Sequence, residues 1–342
     1  FGSRIRGSSS IGQTHPVPPR VRPETGMDLI QDPYANICAV PEEILESLTA
    51  ALEAQAAEAE NSGIRKKVLK SAFEGLLSGN SGSLVVVDVG CGTGGVTRAI
   101  AETPGVGQVI GVDPCAFFLE KARAGLTQEN SSKVVFQEGE STHLPLENGV
   151  ADLVIIVHVM THLPRKQHMP TLLEARRVLK EGGRLLIKDN DFCSWSLTNG
   201  PTDPLSAPVE TLLNAWGHGR YLCRQFPAML ETANFLPSKL KIYSVLDDTE
   251  GTYGYDYVLL RSIRMHLSAG KCSKALAKAL FEEAELRVKN KTFQCLLTYG
   301  CIIGYKPATR STESSPVSLR GSRRTPTNST WNAEGSFSPR LV

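Results

Sequence analysis

The side chains able to do chemistry cluster in a few short stretches of this 342-residue chain. Val85-Val86-Val87-Asp88-Val89 runs into Gly90-Cys91-Gly92-Thr93-Gly94-Gly95, and helix-compatible Val96-Thr97-Arg98-Ala99-Ile100 follows. Glycines let the backbone turn tightly and approach a ligand, and the next helix presents unpaired N–H groups to it. That is a nucleotide-type binding loop, and two ligands compete for it. Gly90-x-Gly92-x-x-Gly95, with Asp113 one strand later as a ribose-binding acid, satisfies the dinucleotide fingerprint of an NAD(P)-dependent oxidoreductase. The tighter Gly90-x-Gly92-x-Gly94, with Asp88 two residues ahead, fits a ligand with a cationic amino acid end better, because a carboxylate there would repel a pyrophosphate. Cys91 stands where the turn needs a small residue, and its expected role is structural rather than nucleophilic. His158, His162, Asp189 and Asp191 are the candidate bases for an acceptor that must lose a proton. For His162, packing in the first turn of a helix competes evenly with catalysis. His143, His168, His218 and His266 read as structural.

The elements that must position these residues are legible from periodicity. Val-rich runs bounded by glycines read as buried strands of a parallel sheet. Val85–Val89, Gln108–Asp113, Lys133–Gln137, Ala151–Val157 and Arg184–Lys188 are the expected strands, and Asp113, a ribose-type acid, should lie at a solvent-accessible strand end. Pro114 opens the helix after the second strand. Pro164 to Lys180 reads as a helix with Met169, Leu172, Leu173 and Leu179 on one face, stopped by Gly182-Gly183. Before the first strand, Pro41-Glu42-Glu43 starts a helix, with Ile44, Leu45, Leu48 and Leu52 at helical spacing. A second helix spans Ile64 to Leu77, followed by a Ser78–Ser83 linker. This N-terminal part is a helical cap, with a partial-lid role open and Tyr34 a possible ligand contact. Strands alternating with helices give an α/β, doubly wound, mostly parallel seven-stranded sheet with helical cap insertions.

The order of these motifs carries a resemblance. Asp88-Val-Gly-Cys-Gly-Thr-Gly94 resembles the first motif of class I S-adenosylmethionine-dependent methyltransferases. Gly139-Glu140-Ser141-x-x-Leu144-Pro145-Leu146, His158-Val-Met-Thr-His162-Leu-Pro164 and Arg177-Val-Leu-Lys-Glu-Gly-Gly183 resemble, in sequence order, segments of the ubiquinone/menaquinone-biosynthesis-like (type 11) small-molecule group. Trp216, Gly219-Arg220, Leu222 and the closing Leu297–Pro307 stretch extend the likeness to about residue 307. The resemblance implies a Rossmann-like methyltransferase fold with S-adenosyl-L-methionine as cofactor. It implies that Asp88, Gly90, Cys91, Gly92 and Gly94 hold the methionine part and that Asp113 and Pro114 face the ribose. It also implies that Gly139, Glu140 and Ser141 meet the adenine, with Glu140 one methylene longer than the commoner Asp, and that His158 lies beside the sulfonium.

Beyond the fifth strand the chain is expected to choose the acceptor. Asp189-Asn190-Asp191 stands where open α/β sheets put ligands, at the carboxyl end of a central strand. Residues 194–208 read as a polar loop and 210–234 as a helix interrupted at Pro227. Residues 240–245 read as a strand, 255–290 as helices broken at Gly270, and 294–305 as a last strand, antiparallel in the resembled family. Most of Phe192, Trp195, Trp216, Tyr221, Phe226, Phe235, Tyr253, Tyr255 and Tyr257 must be core, while a few could line an apolar pocket. The expected acceptor is a small, partly apolar organic molecule such as a quinone, sterol or phenol, methylated on carbon or oxygen.

Charge and composition bound the rest. Arg4, Arg6, Arg20 and Arg22 against Glu24 give residues 1–26 a charge of +3. Five arginines against Glu313 and Glu334 give residues 308–342 another +3, so the net +2 leaves about −4 for the body. A body of that charge offers no argument for nucleic acid. Residues 1–31 read as a disordered leader, an organelle-targeting remnant or an expression artefact, and 308–342 as a disordered basic tail with Ser-Pro and Thr-Pro sites. Residues 32–307 form the expected methyltransferase domain, with a cofactor core at 84–190 and an acceptor and cap region at 191–307. Eight scattered cysteines without CxxC pairs or metal-type spacing fit reduced thiols, a cytoplasmic setting and no metal. No apolar run reaches the roughly 18 residues a membrane span needs. Oligomeric state stays open, as does a regulatory protein that binds cofactor without turnover.

Overall fold

The structure, a computed structural model, describes residues 32–76, 83–215 and 220–308. The expected leader (1–31), most of the 78–83 linker, Trp216, His218, Gly219 and the tail from 309 lie outside the described residues. The apolar runs become parallel strands β1 (Leu84–Val89), β2 (Val106–Asp113), β3 (Val134–Glu138), β4 (Ala151–Val157) and β5 (Leu179–Asn190). Antiparallel to β5 lies β8 (Cys295–Tyr305), whose far side pairs with β6 (Leu236–Pro237) and β7 (Lys241–Asp247). The sheet order is β3-β2-β1-β4-β5-β8 with the β6/β7 edge outside it. Eight strands therefore fill the expected seven places, because β6 and β7 share one edge of β8. Ser238 bridges their break: its N–H donates to the Ile303 carbonyl at 2.7 Å, and its Oγ accepts from the Ile303 N–H at 3.0 Å.

Strands with apolar residues on both faces need cover on both. Val86, Leu153, Ile155 and Leu186 belong to one buried cluster, while neighbouring Val87, Val154, Ile156 and Ile187 belong to the other. The first cluster takes in α2 (Ile64–Phe73), α3 (Gly95–Ala101), α4 (Ala116–Ala124), α6 (Ser206–Ala215), α8 (Leu260–Ser268) and α9 (Lys274–Lys289). The second takes in α5 (Arg165–Val178) and α7 (Leu222–Thr232). The N-terminal α1 (Glu42–Asn61) docks separately: Leu45 and Leu48 join Ile37, Val40, Cys115 and Phe118 in a third cluster. Each such side chain contributes about 1.5–3 kcal/mol on full burial, enough to hold the cap against the start of α4.

Local readings needed correction. Helix α5 ends at Val178, and Gly182-Gly183 fall inside β5 instead of stopping the helix. Lys306 Nζ takes the Arg176 and Leu179 carbonyls at 3.1 and 2.7 Å, closing the helix end, and Gly182 and Gly183 exchange backbone bonds with Lys306. Leu173, read as apolar-face, is half exposed. Pro227 lies inside α7 without ending it, and the described interruption of the helical stretch is the turn at Arg220-Tyr221. Helix α2 ends at Phe73 and helix resumes at Leu76, while the expected end at Leu77 lies outside the described residues.

Candidate functional site

A cavity of about 310 Å³ opens at the carboxyl ends of the parallel strands, where the chain leaves β3 and returns beside β1 as β4. Ligands of open α/β sheets bind at such a reversal. Its floor comes from Asp88 of β1, Asp113 of β2, His158 after β4, and Lys188 and Asn190 of β5. Its wall comes from the Gly-rich turn, from Gly139–Thr142, from α1, and from Tyr253, Tyr257 and Arg261.

The turn is held by the strand beside it. Gly90 and Cys91 both donate to the Val112 carbonyl, at 2.7 and 3.1 Å, and Gly94 N–H donates to the Cys91 carbonyl at 2.9 Å. Gly90 adopts φ +69°, and a Cβ there would stand 2.3 Å from Val159 Cγ2. Gly90, Cys91 and Gly92 line the cavity, as do Thr93 and Gly95. Gly94 does not: it caps α3, and a Cβ on it would meet Phe136 and Ala122.

Asp88 is buried and accepts from Thr97 Oγ1 at 2.6 Å; burial pushes its carboxyl up to about 7. Asp113 was expected at an open strand end but is only 6% exposed. Its two oxygens accept from the Gly92 and Cys115 N–H groups at 2.8 and 2.9 Å, and burial lifts its carboxyl to about 6 despite those bonds. Pro114 lines the cavity, and its carbonyl accepts from the Cys38 thiol. Gly139, exposed Glu140 and Ser141 line the far wall, with Ser141 Oγ 3.0 Å from Thr171 Oγ1.

The four candidate bases separate into two pairs. His158 and His162 line the cavity; Asp189 and Asp191 do not. Asp189, fully buried, accepts from Thr161 Oγ1 and N–H at 2.7 and 3.1 Å, tying the turn after β4 to β5. Asp191 accepts from Ser194 Oγ at 2.6 Å and faces Arg224. Both acids are engaged in holding chain segments. His158 adopts a left-handed backbone, φ +58°, uncommon for a residue with a Cβ and frequent at functional sites. Its Nε2 lies 2.7 Å from Lys188 Nζ, and burial with the ammonium alongside keeps the imidazole neutral. His162 Nδ1 lies 2.6 Å from Asp32 Oδ2, with the Tyr34 ring 4.7 Å from the imidazole. Burial works against the imidazolium, but the charge and hydrogen bond of Asp32 outweigh it and raise the His162 pKa. The same pair lowers that of Asp32 in spite of its burial. Of the other histidines, buried His168 bonds the Leu163 carbonyl and buried His266 bonds Thr211 Oγ1.

Of the aromatics flagged beyond β5, Tyr253 and Tyr257 line the cavity, stacked at 6.2 Å on a π-helical turn (Tyr253–Leu259). Phe192, Trp195, Phe226, Phe235 and Tyr255 are core, and Tyr221 is exposed. Sequence reasoning missed Asp32, Lys188 and Arg261, and of the Asp189-Asn190-Asp191 stretch it put at the ligand end only Asn190 lines the cavity. For Lys188 a signal existed, since a lysine ending a buried apolar strand breaks the pattern. Asp32 had none, because its partner lies 130 residues away.

A family model described as a methyltransferase domain matches residues 86–183. Demethylmenaquinone methyltransferase of Lactococcus lactis is 37% identical over 109 residues, which are 32% of this chain and 42% of that one. Tocopherol O-methyltransferase of Arabidopsis thaliana is 29% identical over 167 residues, 47% of this chain and 44% of that one. The chain thus spans less than half the length of either relative. A Haemonchus contortus phosphoethanolamine N-methyltransferase solved with S-adenosyl-L-methionine superimposes with a TM-score of 0.45 at 17% identity, covering 72% of this chain and 52% of that one. The strand order and the glycine turn below the cavity accord with the domain match: residues 86–183 match a methyltransferase domain and are similar to the corresponding part of demethylmenaquinone methyltransferase.

Proposed function

We propose that the protein is an S-adenosylmethionine-dependent methyltransferase acting on a small, partly apolar organic acceptor. The observation that carries this reading is the make-up of the cavity at the strand ends. Acidic and glycine-turn residues form one part, and Tyr34, Tyr253 and Tyr257 with His158, His162 and Lys188 form another.

The residues present fit the cofactor. Asp88 offers a buried carboxylate for a cationic amino group, whose approach would draw its raised pKa back down. Each Asp113 oxygen has accepted one backbone N–H, and a carboxylate has lone pairs left for ribose hydroxyls. Glu140 stands exposed on the wall to accept from an adenine amino group, with Ser141 beside it. Two buried polar atoms of cavity residues, His158 Nδ1 and Asn190 Oδ1, have no hydrogen-bond partner among the described residues and are suited to a ligand. When bound, S-adenosylmethionine supplies an electrophilic methyl group that needs alignment more than acid–base help.

The chain's own part is then to orient the acceptor and exclude water. The Tyr253/Tyr257 stack and Tyr34 give it an apolar wall, and the Asp32–His162 contact holds the N-terminal turn over the opening. For an acceptor that must lose a proton, neutral His158 and His162, the latter held by Asp32 from outside the lining, are the imidazoles at the cavity; Asp189 and Asp191 have no such position.

Calorimetry with S-adenosylmethionine, its demethylated product and NAD tests the cofactor. Binding of NAD alone would overturn the reading in favour of a dehydrogenase. Incubation with methyl-labelled cofactor and a cell extract tests the acceptor. Label in the organic-extractable fraction is expected; label only in protein or nucleic acid would refute a small acceptor. No transfer to any fraction would leave a cofactor-binding regulatory protein.

A further inference from the structure

Lys188 is the most anomalous side chain of the cavity. It ends the apolar run Leu185-Leu186-Ile187 and is 4% exposed. Buried lysines are rare unless an anion pairs with them. Its Nζ contacts instead the neutral His158 Nε2 at 2.7 Å and the face of the Tyr299 ring, 3.9 Å from the centroid. No carboxylate lies within 4.0 Å of it among the described residues. Glu58 favours the ammonium only from beyond ion-pair distance and accepts from the Tyr299 hydroxyl at 2.9 Å, and burial pushes that carboxyl up to about 7. Asp189 next in sequence turns to Thr161. An ammonium has three N–H donors, and imidazole and ring occupy two of them. The charge survives burial: Lys188 is lowered only to about 8, so the ammonium form prevails at neutral pH.

We propose that Lys188 is the anion contact of the acceptor end of the cavity, and that the acceptor carries an ionised acidic oxygen, a carboxylate or an enolate- or phenolate-type oxygen, bound against its Nζ. The proposal rests on the methyltransferase reading and narrows its acceptor from partly apolar to partly apolar and acidic. Tyr299 holds the ammonium from one side and His158 from another, so the remaining donor has a fixed direction. Tyr253 and Tyr257 on the cavity wall suit a planar apolar body attached to the acid.

The test uses simple probes with the full chain at neutral pH, saturated with S-adenosylhomocysteine. Benzoate is compared with neutral benzamide, and 4-nitrophenol with nitrobenzene, by calorimetry. The acidic member of each pair is expected to bind at least about 10-fold more tightly. Lys188→Met should abolish that preference, and Lys188→Arg should restore much of it, with homocysteine-product affinity unchanged. A readout independent of any variant is the 4-nitrophenol spectrum. On binding the wild-type protein its phenolate band should grow, corresponding to an ionisation constant raised about 10-fold or more. Equal binding of neutral and acidic probes, loss of the phenolate band on binding, a preference that survives Lys188→Met, or no binding of either acid at millimolar concentration overturns the proposal. Failure of wild-type protein to bind S-adenosylhomocysteine defeats the methyltransferase reading itself, so the two failures are separable.

Discussion

The glycines of the turn look equivalent in sequence, and the structure predicts that they are not. Consider Gly90→Ala beside Gly92→Ala. Both positions have left-handed backbones, φ +69° and +51°, which cost a residue with a Cβ about 1–2 kcal/mol. At Gly92 the new Cβ meets only Leu52 Cδ1, at 3.3 Å, the tip of a flexible side chain that can yield. At Gly90 it stands 2.3 Å from Val159 Cγ2, with Val159 Cγ1 and Cβ at 3.3 and 3.4 Å. Relief needs a χ1 change of a stiff β-branched side chain or a backbone shift, which adds about 1–3 kcal/mol of overpacking. Gly90→Ala should therefore lose about 2–5 kcal/mol and Gly92→Ala about 1–2 kcal/mol. Urea unfolding with a common m-value reads the difference directly. Binding of S-adenosylhomocysteine should rank the other way per unit of stability lost, because Gly92 donates to Asp113 and lines the cavity. Equal midpoints for the two variants, or a Gly92→Ala protein less stable than Gly90→Ala, would refute the steric reasoning.

Other outcomes follow from the same site. Asp88 has a folded pKa of about 7 against 3.8 when exposed, so the folded state binds the extra proton and the ionised form is disfavoured. Its unfavourable contribution grows as pH rises from about 4 to about 7, and the stability of Asp88→Asn relative to wild type should climb over that window; a gap independent of pH contradicts the burial argument. His162 is shifted upward by Asp32, so its stabilisation is complete below its ordinary value of 6.5 and disappears as pH rises through the raised folded value. Amide hydrogen exchange in Pro33–Ala39, corrected for the intrinsic pH dependence of exchange, should accordingly be less protected at pH 9 than at pH 6, and equally unprotected at both in Asp32→Asn; protection indifferent to pH and substitution would show that the pair does not hold this segment. Arg287 forks onto Asp203 at 2.7 and 2.9 Å and also holds Glu283, pinning α9 to the loop before α6. Arg287→Met leaves the Asp203 carboxylate buried without its partner and should cost about 3 kcal/mol in urea unfolding, whereas a loss below about 1 kcal/mol would mark the fork as solvent-screened.

The fold was legible because its signals are local. Continuous β-branched runs such as Val85-Val86-Val87 and Val154-Ile155-Ile156 announce strands covered on both faces, and the alternation with helices leaves few topologies to choose from. The glycine turn, Asp88, Asp113 and Glu140 were readable for the same reason, since each sits at a strand end and strand ends of one sheet converge. Short-range cues failed at helix ends. Lys306, far along the chain, closes α5 before the glycines that seemed to stop it, and α7 continues through Pro227. At the cavity, tertiary structure alone decided which polar residues line it. Asp189 and Lys188 are neighbours on β5, and the alternation of a strand sends them to opposite sides. The acid expected to act as a base is buried against Thr161, and the lysine expected to be a strand residue stands in the cavity. Asp32 and His162, or Glu58 and Tyr299, meet across 130 and 241 residues of chain. Their spacing in sequence carries no trace of this, because a long-range contact is set by how whole elements pack and not by the residues flanking either partner.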